Sequence, residues 1–302
     1  MSKEQKEPKS TQVPVIAAGK TLGVIGAGVM GQTLVRGLLS SGLVPRERLW
    51  AGDKNAGACE HAAQALDIPV EVDYHARVAG ADLILVCVKP ADAAAVLATL
   101  RNDGLRRDAL LISILAGTST ERLESLLETD NPVVRAMPNT PAIVGEGMTV
   151  VCSGKHAGAA HLARARRIFD AVGKCVPVDE MHFDAITALS GSGPAYQYLI
   201  MEALADAGVR VGLPRQLALT LVSQTVLGAA KMVQTTGRHP AALRDDVTTP
   251  AGCTIAGLLM LEDGRIRSVL ARAVEEAAKI AAHLGAAPSK ISETAAGQRA
   301  GH

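Results

Sequence analysis

A chain of 302 residues, 48% of them hydrophobic, is long enough for two domains of ordinary size, each with its own core. Its 31 Lys and Arg against 30 Asp and Glu leave no bulk field to draw nucleic acid or an anionic membrane, and an aromatic content of 2% removes the stacking platforms of single-strand binders. Five cysteines without C-x-x-C spacing fit a reducing compartment, the cytoplasm, and argue against a structural disulfide or a zinc site.

Residues 1–19 open with the charged and polar run MSKEQKEPKSTQ, lack the apolar segment of a signal peptide, and read as a disordered tail that carries no fold information. No apolar run is expected to span a membrane, because Gly, Pro or a charge interrupts each within a few residues. Residues 20–178 alternate short β-branched runs with Ala/Leu-rich amphipathic segments, the pattern of strand, crossover helix and parallel strand. The expected fold class is therefore α/β, a Rossmann-type doubly wound sheet. Its strands are expected at Thr21 to Ile25, Arg48 to Gly52, Leu83 to Val88, Leu110 to Ile114, Val133 to Ala136, Thr149 to Cys152 and Cys175 to Val178.

The first strand runs into Ile25-Gly26-Ala27-Gly28-Val29-Met30-Gly31, which opens a helical stretch. That context makes the G-x-G-x-x-G spacing a dinucleotide site. Gly26 permits the tight turn, Gly28 lets backbone approach a pyrophosphate, Gly31 lets helix and strand pack closely, and the helix start offers free N–H groups. Asp53, ending the second strand, stands where a carboxylate accepts the ribose hydroxyls and repels a 2′-phosphate, which favours NADH; the bland alternative is a solvated loop acid. Lys54 beside it offers a cation to that phosphate, so NADPH stays open.

From Met181 to Leu284 the strand signal disappears, and long Ala/Leu/Val segments take over, broken at Gly212-Leu213-Pro214, Gly237-Arg238-His239-Pro240 and Pro250-Ala251-Gly252. Residues 179–285 are thus expected to be an all-α C-terminal domain. Helices so apolar carry more surface than one small bundle covers, which points to a subunit interface and at least a dimer. Residues 286–302 lose periodicity and read as a second disordered tail. No HExxH, no clustered His and Cys and no G-x-S-x-G suggests a metal or a covalent nucleophile.

Several further segments are more specific than the glycines: Val88-Lys89-Pro90, Arg135-Ala-Met-Pro-Asn-Thr-Pro141, Thr187-Ala-Leu-Ser-Gly-Ser-Gly-Pro-Ala-Tyr196, Leu227-Gly-Ala-Ala-Lys-Met232 and Asp246-Val-Thr-Thr-Pro-Ala-Gly-Cys-Thr-Ile255. In order and spacing, from Leu22 to Leu284, the chain resembles the pyrroline-5-carboxylate reductases. The resemblance implies NAD(P)H-dependent reduction of 1-pyrroline-5-carboxylate to L-proline, the last step of proline biosynthesis. It places Val88, Lys89, Pro90 and Ala116 beside the nicotinamide half of the cofactor. It also gives the substrate carboxylate to Thr249, Gly252, Cys253 and Thr254, the imine proton to Thr187, and the ring nitrogen to Glu180. Finally, it implies a homodimer through the helical domain and a ring of such dimers, a decamer in all.

The residues themselves leave alternatives beside these roles. Lys89 read alone is a catalytic acid or a snorkelling surface lysine. Glu180 is equally a helix-start acid favoured by the dipole, and Thr-Thr-Pro-Ala-Gly-Cys-Thr is equally a Thr-capped helix start. Cys253 has no evident His partner and reads as a small packing residue. Some family members carry Ser at the position of Asp53 and Asn at that of Tyr74 for a 2′-phosphate, and this chain has neither. A related imine or β-hydroxyacid reductase and a non-catalytic dinucleotide sensor stand as the other readings; the β-hydroxyacid enzymes usually present a Lys where Thr187-Ala-Leu-Ser190 stands.

Overall fold

In the computed structural model, which describes residues 14–285, the β-branched runs form one eight-stranded sheet. In chain order come β1 (Thr21–Ile25), α1 (Val29–Ser40), β2 (Leu49–Gly52), α2 (Ala56–Leu66), β3 (Val70–Glu71), α3 (His75–Val78), β4 (Ala81–Val86) and α4 (Ala93–Asn102). Then follow β5 (Leu110–Ser113), α5 (Thr120–Leu127), β6 (Val133–Met137), β7 (Gly147–Ser153), α6 (Ala159–Asp170), β8 (Gly173–Pro177) and α7 (Phe183–Ile186). The strand order is β3-β2-β1-β4-β5-β6-β7-β8, so the winding reverses between β1 and β4. In a doubly wound sheet a ligand binds at such a reversal, outside the carboxyl ends of the strands.

The sheet is apolar on both faces because helices cover both. Along β4, Leu83 and Leu85 join Leu22 and Val24 of β1 in one core, whereas Ile84 and Val86 join Leu97 of α4 and Leu123 of α5 in the other. This is the period-two alternation of a strand buried on two sides.

Four expectations need correction. β3 was not anticipated, since two residues are too few to show alternation, yet it pairs parallel with β2. β7 runs antiparallel to β6 rather than parallel; the link from Met137 to Gly147 holds only a short 3-10 turn (Thr140–Val144), and a parallel return needs a crossover of a dozen or more residues. β4 ends at Val86, which leaves Val88 in the turn that follows rather than in the strand.

The fourth correction concerns the start of the chain, where the described residues 14–19 carry fold information. Val15 and Ile16 are buried in the core. Arg164 Nε donates to the Val15 carbonyl at 2.8 Å, its Nη2 reaches Asp82 Oδ2 at 2.6 Å, and that oxygen also accepts the Ala17 amide at 2.9 Å. The second expected tail, 286–302, lies outside the described residues.

The described residues divide into two compact units, 14–187 with 279–285, and Ala188–Ala278. The second unit is helical as expected: α8 (Gly193–Arg210), α9 (Arg215–Thr236), α10 (Pro240–Asp246), α11 (Cys253–Asp263) and most of α12 (Ile266–Gly285). Its breaks fall at the anticipated Gly and Pro residues, with Gly212 and Gly237 at φ +101° and +63°. Among the described residues of this unit only Ala188, Ala205 and Ala218 are buried, and α11 buries nothing. Tyr198, Leu199, Leu259 and Met260 are each more than half exposed. Contrary to expectation, α9 is long and apolar enough to cross a membrane by length and composition, because no charge falls between Arg215 and Lys231.

Candidate functional site

The turn from β1 into α1 is built by its glycines. Gly26 adopts φ +109°, its N–H donates to the Gly52 carbonyl at 2.7 Å, and a Cβ there would stand 2.6 Å from the Cys87 carbonyl oxygen. A Cβ at Gly31 would lie 2.0 Å from the Gly26 carbonyl oxygen. At Gly28, in contrast, an added Cβ meets nothing within 4 Å, and no side chain caps the helix that begins there. The loop is therefore closed towards the protein and open on its far side, where the first amides of α1 are left to an outside acceptor. That cradle fits a dinucleotide pyrophosphate.

A hollow of about 540 Å³ adjoins this turn, lined by Ile25, Gly26, Gly28, Asp53, Lys54, Val88 and Lys89 together with residues from the loops after β2 and β3. Val88 and Lys89 thus share walls with Asp53, the expected ribose carboxylate, whereas Pro90 and Ala116 are not among them. Ala27, Gly28 and Val29 also border a second hollow of about 420 Å³ on the α1 side; Met30 and Gly31 line neither.

Asp53 does more than its motif position suggests. Its Oδ2 accepts the Ala27 amide at 2.8 Å and its Oδ1 the Asn55 amide at 3.0 Å, so the carboxylate braces the glycine loop. Lys54 reaches across the hollow to Asp92, 2.7 Å away, which occupies the cation that the sequence offered to a 2′-phosphate.

Tyr74 and His75 enter the wall from the loop after the unanticipated β3. The Tyr74 ring fills the space beside Gly52, where a Cβ would meet it at 2.2 Å, and stacks on Trp50 with centroids 5.9 Å apart. Burial, and then the charges of Asp103 and Asp53, raise its phenol above 10.0. His75 Nδ1 bonds Asp103 at 2.5 Å, and that bond and charge raise the imidazole above 6.5.

Ala116 lies in the turn between β5 and α5. Thr187 opens a π-helical turn, Thr187–Gly191, just ahead of the Gly and Pro residues 191–194 where the sequence suggests a kinked helix, and the boundary between the two units falls directly after Thr187. Such π turns concentrate at functional sites.

Glu180 occupies both carboxylate oxygens within the first unit, on the Thr120 amide at 2.8 Å, the Thr120 hydroxyl at 2.6 Å and Arg135 Nη1 at 3.0 Å. Burial pushes its carboxyl up, but the Thr120 donors and the Arg135 guanidinium outweigh that and hold it below the ordinary 4.5. A carboxyl lowered in the fold adds stability above its unfolded pKa and loses it as pH falls through its folded pKa. Wild type and Glu180→Gln should therefore differ most in urea midpoint near neutrality and converge in acid; parallel curves would deny the carboxylate that part in stability.

In the second unit, Gly252 caps α11 in extended conformation and no side chain bonds its first turn, so the Thr-capped alternative does not hold. Thr249 sits against Gly252, its Oγ1 2.3 Å from where a Cβ would be, and its carbonyl accepts the Gly252 amide at 3.1 Å. Ala251 adopts φ +56°, a left-handed turn that swings the chain into the helix. Cys253 is exposed and Thr254 half-buried at the helix start. A bare helix start of this kind favours an anion.

The comparisons agree with this division of features. Residues 180–284 match the family model for pyrroline-5-carboxylate reductase dimerisation, and residues 21–117 that for NADP oxidoreductase, coenzyme F420-dependent. The chain is 42% identical over 267 residues to pyrroline-5-carboxylate reductase of Arabidopsis thaliana, covering 88% of this chain and 96% of that one. Among solved structures, the pyrroline-5-carboxylate reductase of Coxiella burnetii is similar at TM-score 0.83 and 32% identity, covering 89% and 100% of the two chains. The pyrroline carboxylate reductase of Plasmodium falciparum, solved with NADP bound, is similar at TM-score 0.77 and 32% identity, covering 88% and 98%. On identity sustained across nearly the whole length, the chain belongs to the pyrroline-5-carboxylate reductase family.

Proposed function

We propose that this chain reduces 1-pyrroline-5-carboxylate to L-proline with a nicotinamide dinucleotide. The observation that carries the reading is the uncapped helix start at Gly252, since a dinucleotide sensor has no need of a second anion-binding element, while a reductase of a cyclic imino acid must hold a carboxylate. The first unit supplies the dinucleotide cradle and the second the carboxylate anchor, through the amides of Cys253 and Thr254, which follow the Gly252 cap, and the hydroxyls of Thr249 and Thr254.

The dinucleotide, when bound, supplies the hydride. The chain's own residues orient and protonate. Asp53 accepts the ribose hydroxyls, Lys89 and Pro90 with Ala116 border the cofactor, and the Thr187 hydroxyl holds the proton for the imine nitrogen, which makes the adjoining carbon a better hydride acceptor. Steady-state oxidation of NADH and NADPH with pyrroline-5-carboxylate tests the reading, and no turnover with either rejects it.

The cofactor preference is for NADH, because Asp53 repels a 2′-phosphate and Asp92 already pairs Lys54. Asp53→Ser should move the ratio of NADPH to NADH affinity upward by about tenfold, or ~1.4 kcal/mol. An unchanged ratio in fluorescence titrations would take Asp53 out of the site. A homodimer through the helical unit, assembled further into a decamer, covers the exposed faces of α8, α9 and α11, and light scattering measures that mass. The cysteine usage supports a reducing compartment, the cytoplasm, as the place of the reaction.

A further inference from the structure

The segment that carries Thr187 is hydrogen-bonded to the sheet through Glu180. Glu180 begins the 3-10 turn Glu180–His182 that leads through α7 to the π turn. Its Oε1 accepts both the Thr120 amide and Arg135 Nη1, and its Oε2 accepts the Thr120 hydroxyl. Thr120 is the first residue of α5 and follows directly on the turn that contains Ala116. Arg135 belongs to β6 and is only 7% exposed. Its guanidinium carbon also stands 4.3 Å over the ring of Phe183, which is itself fully buried with Val150 and Cys152. One carboxylate thus joins three places: the turn after β5, the strand β6 and the start of the segment that ends at Thr187.

The Glu180 side chain is 31% exposed and borders a shallow hollow of about 390 Å³, yet both its oxygens are taken by donors, and releasing them would leave the buried Arg135 guanidinium without its counter-charge. The Thr120 hydroxyl and amide approach from one side and the guanidinium from another, so that Glu180 has little freedom to swing towards a ligand without breaking short bonds.

We infer that Glu180 is a positioning residue, whose clamp on Thr120 and Arg135 sets the Thr187 hydroxyl in register with the Ala116 turn without touching substrate. The inference rests on the functional reading above, in which Thr187 holds the imine proton and the Ala116 turn borders the cofactor. It replaces the sequence expectation of a bond from Glu180 to the ring nitrogen.

Variants of the full chain test it. E180Q keeps the side chain's size and loses its charge, while T120V removes a hydroxyl that under neither view meets substrate. Each should lower kcat on the order of tenfold to a hundredfold while leaving the imino-acid KM near that of the parent, because misplacement of a reacting group acts on the chemical step. The double variant should be no slower than E180Q, since both changes break the same tie. E180D, which keeps the charge, should recover part of kcat.

If Glu180 instead bonds the substrate nitrogen, E180Q raises KM and T120V leaves kcat unchanged, and the inference is overturned. Amide exchange over residues 183–191 reads the tie without turnover. Faster exchange in both variants upholds it, and unchanged exchange overturns it even in an active enzyme. Absence of turnover by the parent, with faster exchange in the variants, sinks the functional reading and leaves the tie standing.

Discussion

Gly31→Ala should cost the chain its dinucleotide. The new Cβ would stand 2.0 Å from the Gly26 carbonyl oxygen, backbone that has no rotamer with which to yield. Helix α1 must then retreat from the loop and carry its first amides away from the position a pyrophosphate needs. We expect NADH affinity to fall by at least about a hundredfold, ~2.7 kcal/mol, in fluorescence titration, together with the roughly 1–3 kcal/mol of stability that overpacking removes. Gly28→Ala separates the two effects. Its Cβ meets no protein atom within 4 Å, so the urea midpoint should stay while binding weakens, because the side chain would fill the open side of the cradle. Undiminished binding in both variants would remove this turn from the cofactor site.

The second large effect is on stability, at the edge of the core farthest from any expectation of function. Asp82 and Arg164 have side chains only 10% and 12% exposed, and together they hold the Val15 carbonyl and the Ala17 amide. Asp82→Ala leaves a guanidinium buried without its counter-charge and unpins the segment that places Val15 and Ile16 in the core. A loss of about 3–5 kcal/mol is expected from breaking one partner of such a pair. Replacing both, as Asp82→Leu with Arg164→Met, should restore much of it, since two apolar side chains leave no stranded charge. Chemical denaturation gives both values, and a single variant as stable as the parent would show the pair to be idle.

This pair also shows where reading the sequence fails. Val15 and Ile16 follow the run MSKEQKEPKSTQ and look like the end of a tail, and the groups that pin the backbone around them lie far off, Asp82 65 positions beyond Ala17 and Arg164 149 beyond Val15. Glu180 is marked as chemically significant by the family resemblance, yet its partners Thr120 and Arg135 are 60 and 45 residues away and leave no local pattern. β3 was invisible because two residues have no period, and with it went the approach of His75 to the dinucleotide hollow, whereas the resemblance already set Tyr74 at a 2′-phosphate position. In contrast, the glycine turn was legible residue by residue. The positive φ at Gly26 and the forbidden Cβ at Gly31, which would meet the Gly26 carbonyl, are constraints set within one βα unit.

By itself the sequence determined what depends on short range: the alternation that makes β4 a buried strand, the Gly and Pro breaks between the helices, the glycine turn ahead of α1, and the family through motifs spread from Val88 to Ile255. Only the tertiary structure decided which charges meet. Asp53, expected at the ribose, also braces the glycine loop, Lys54 is taken up by Asp92, Glu180 is clamped by Thr120 and Arg135, and β7 turns back along β6. The reason is physical. Periodicity and turn chemistry are set by neighbours along the chain, whereas the energy of a buried carboxylate depends on which donors the fold brings within 3 Å of it, and the sequence carries no record of that distance.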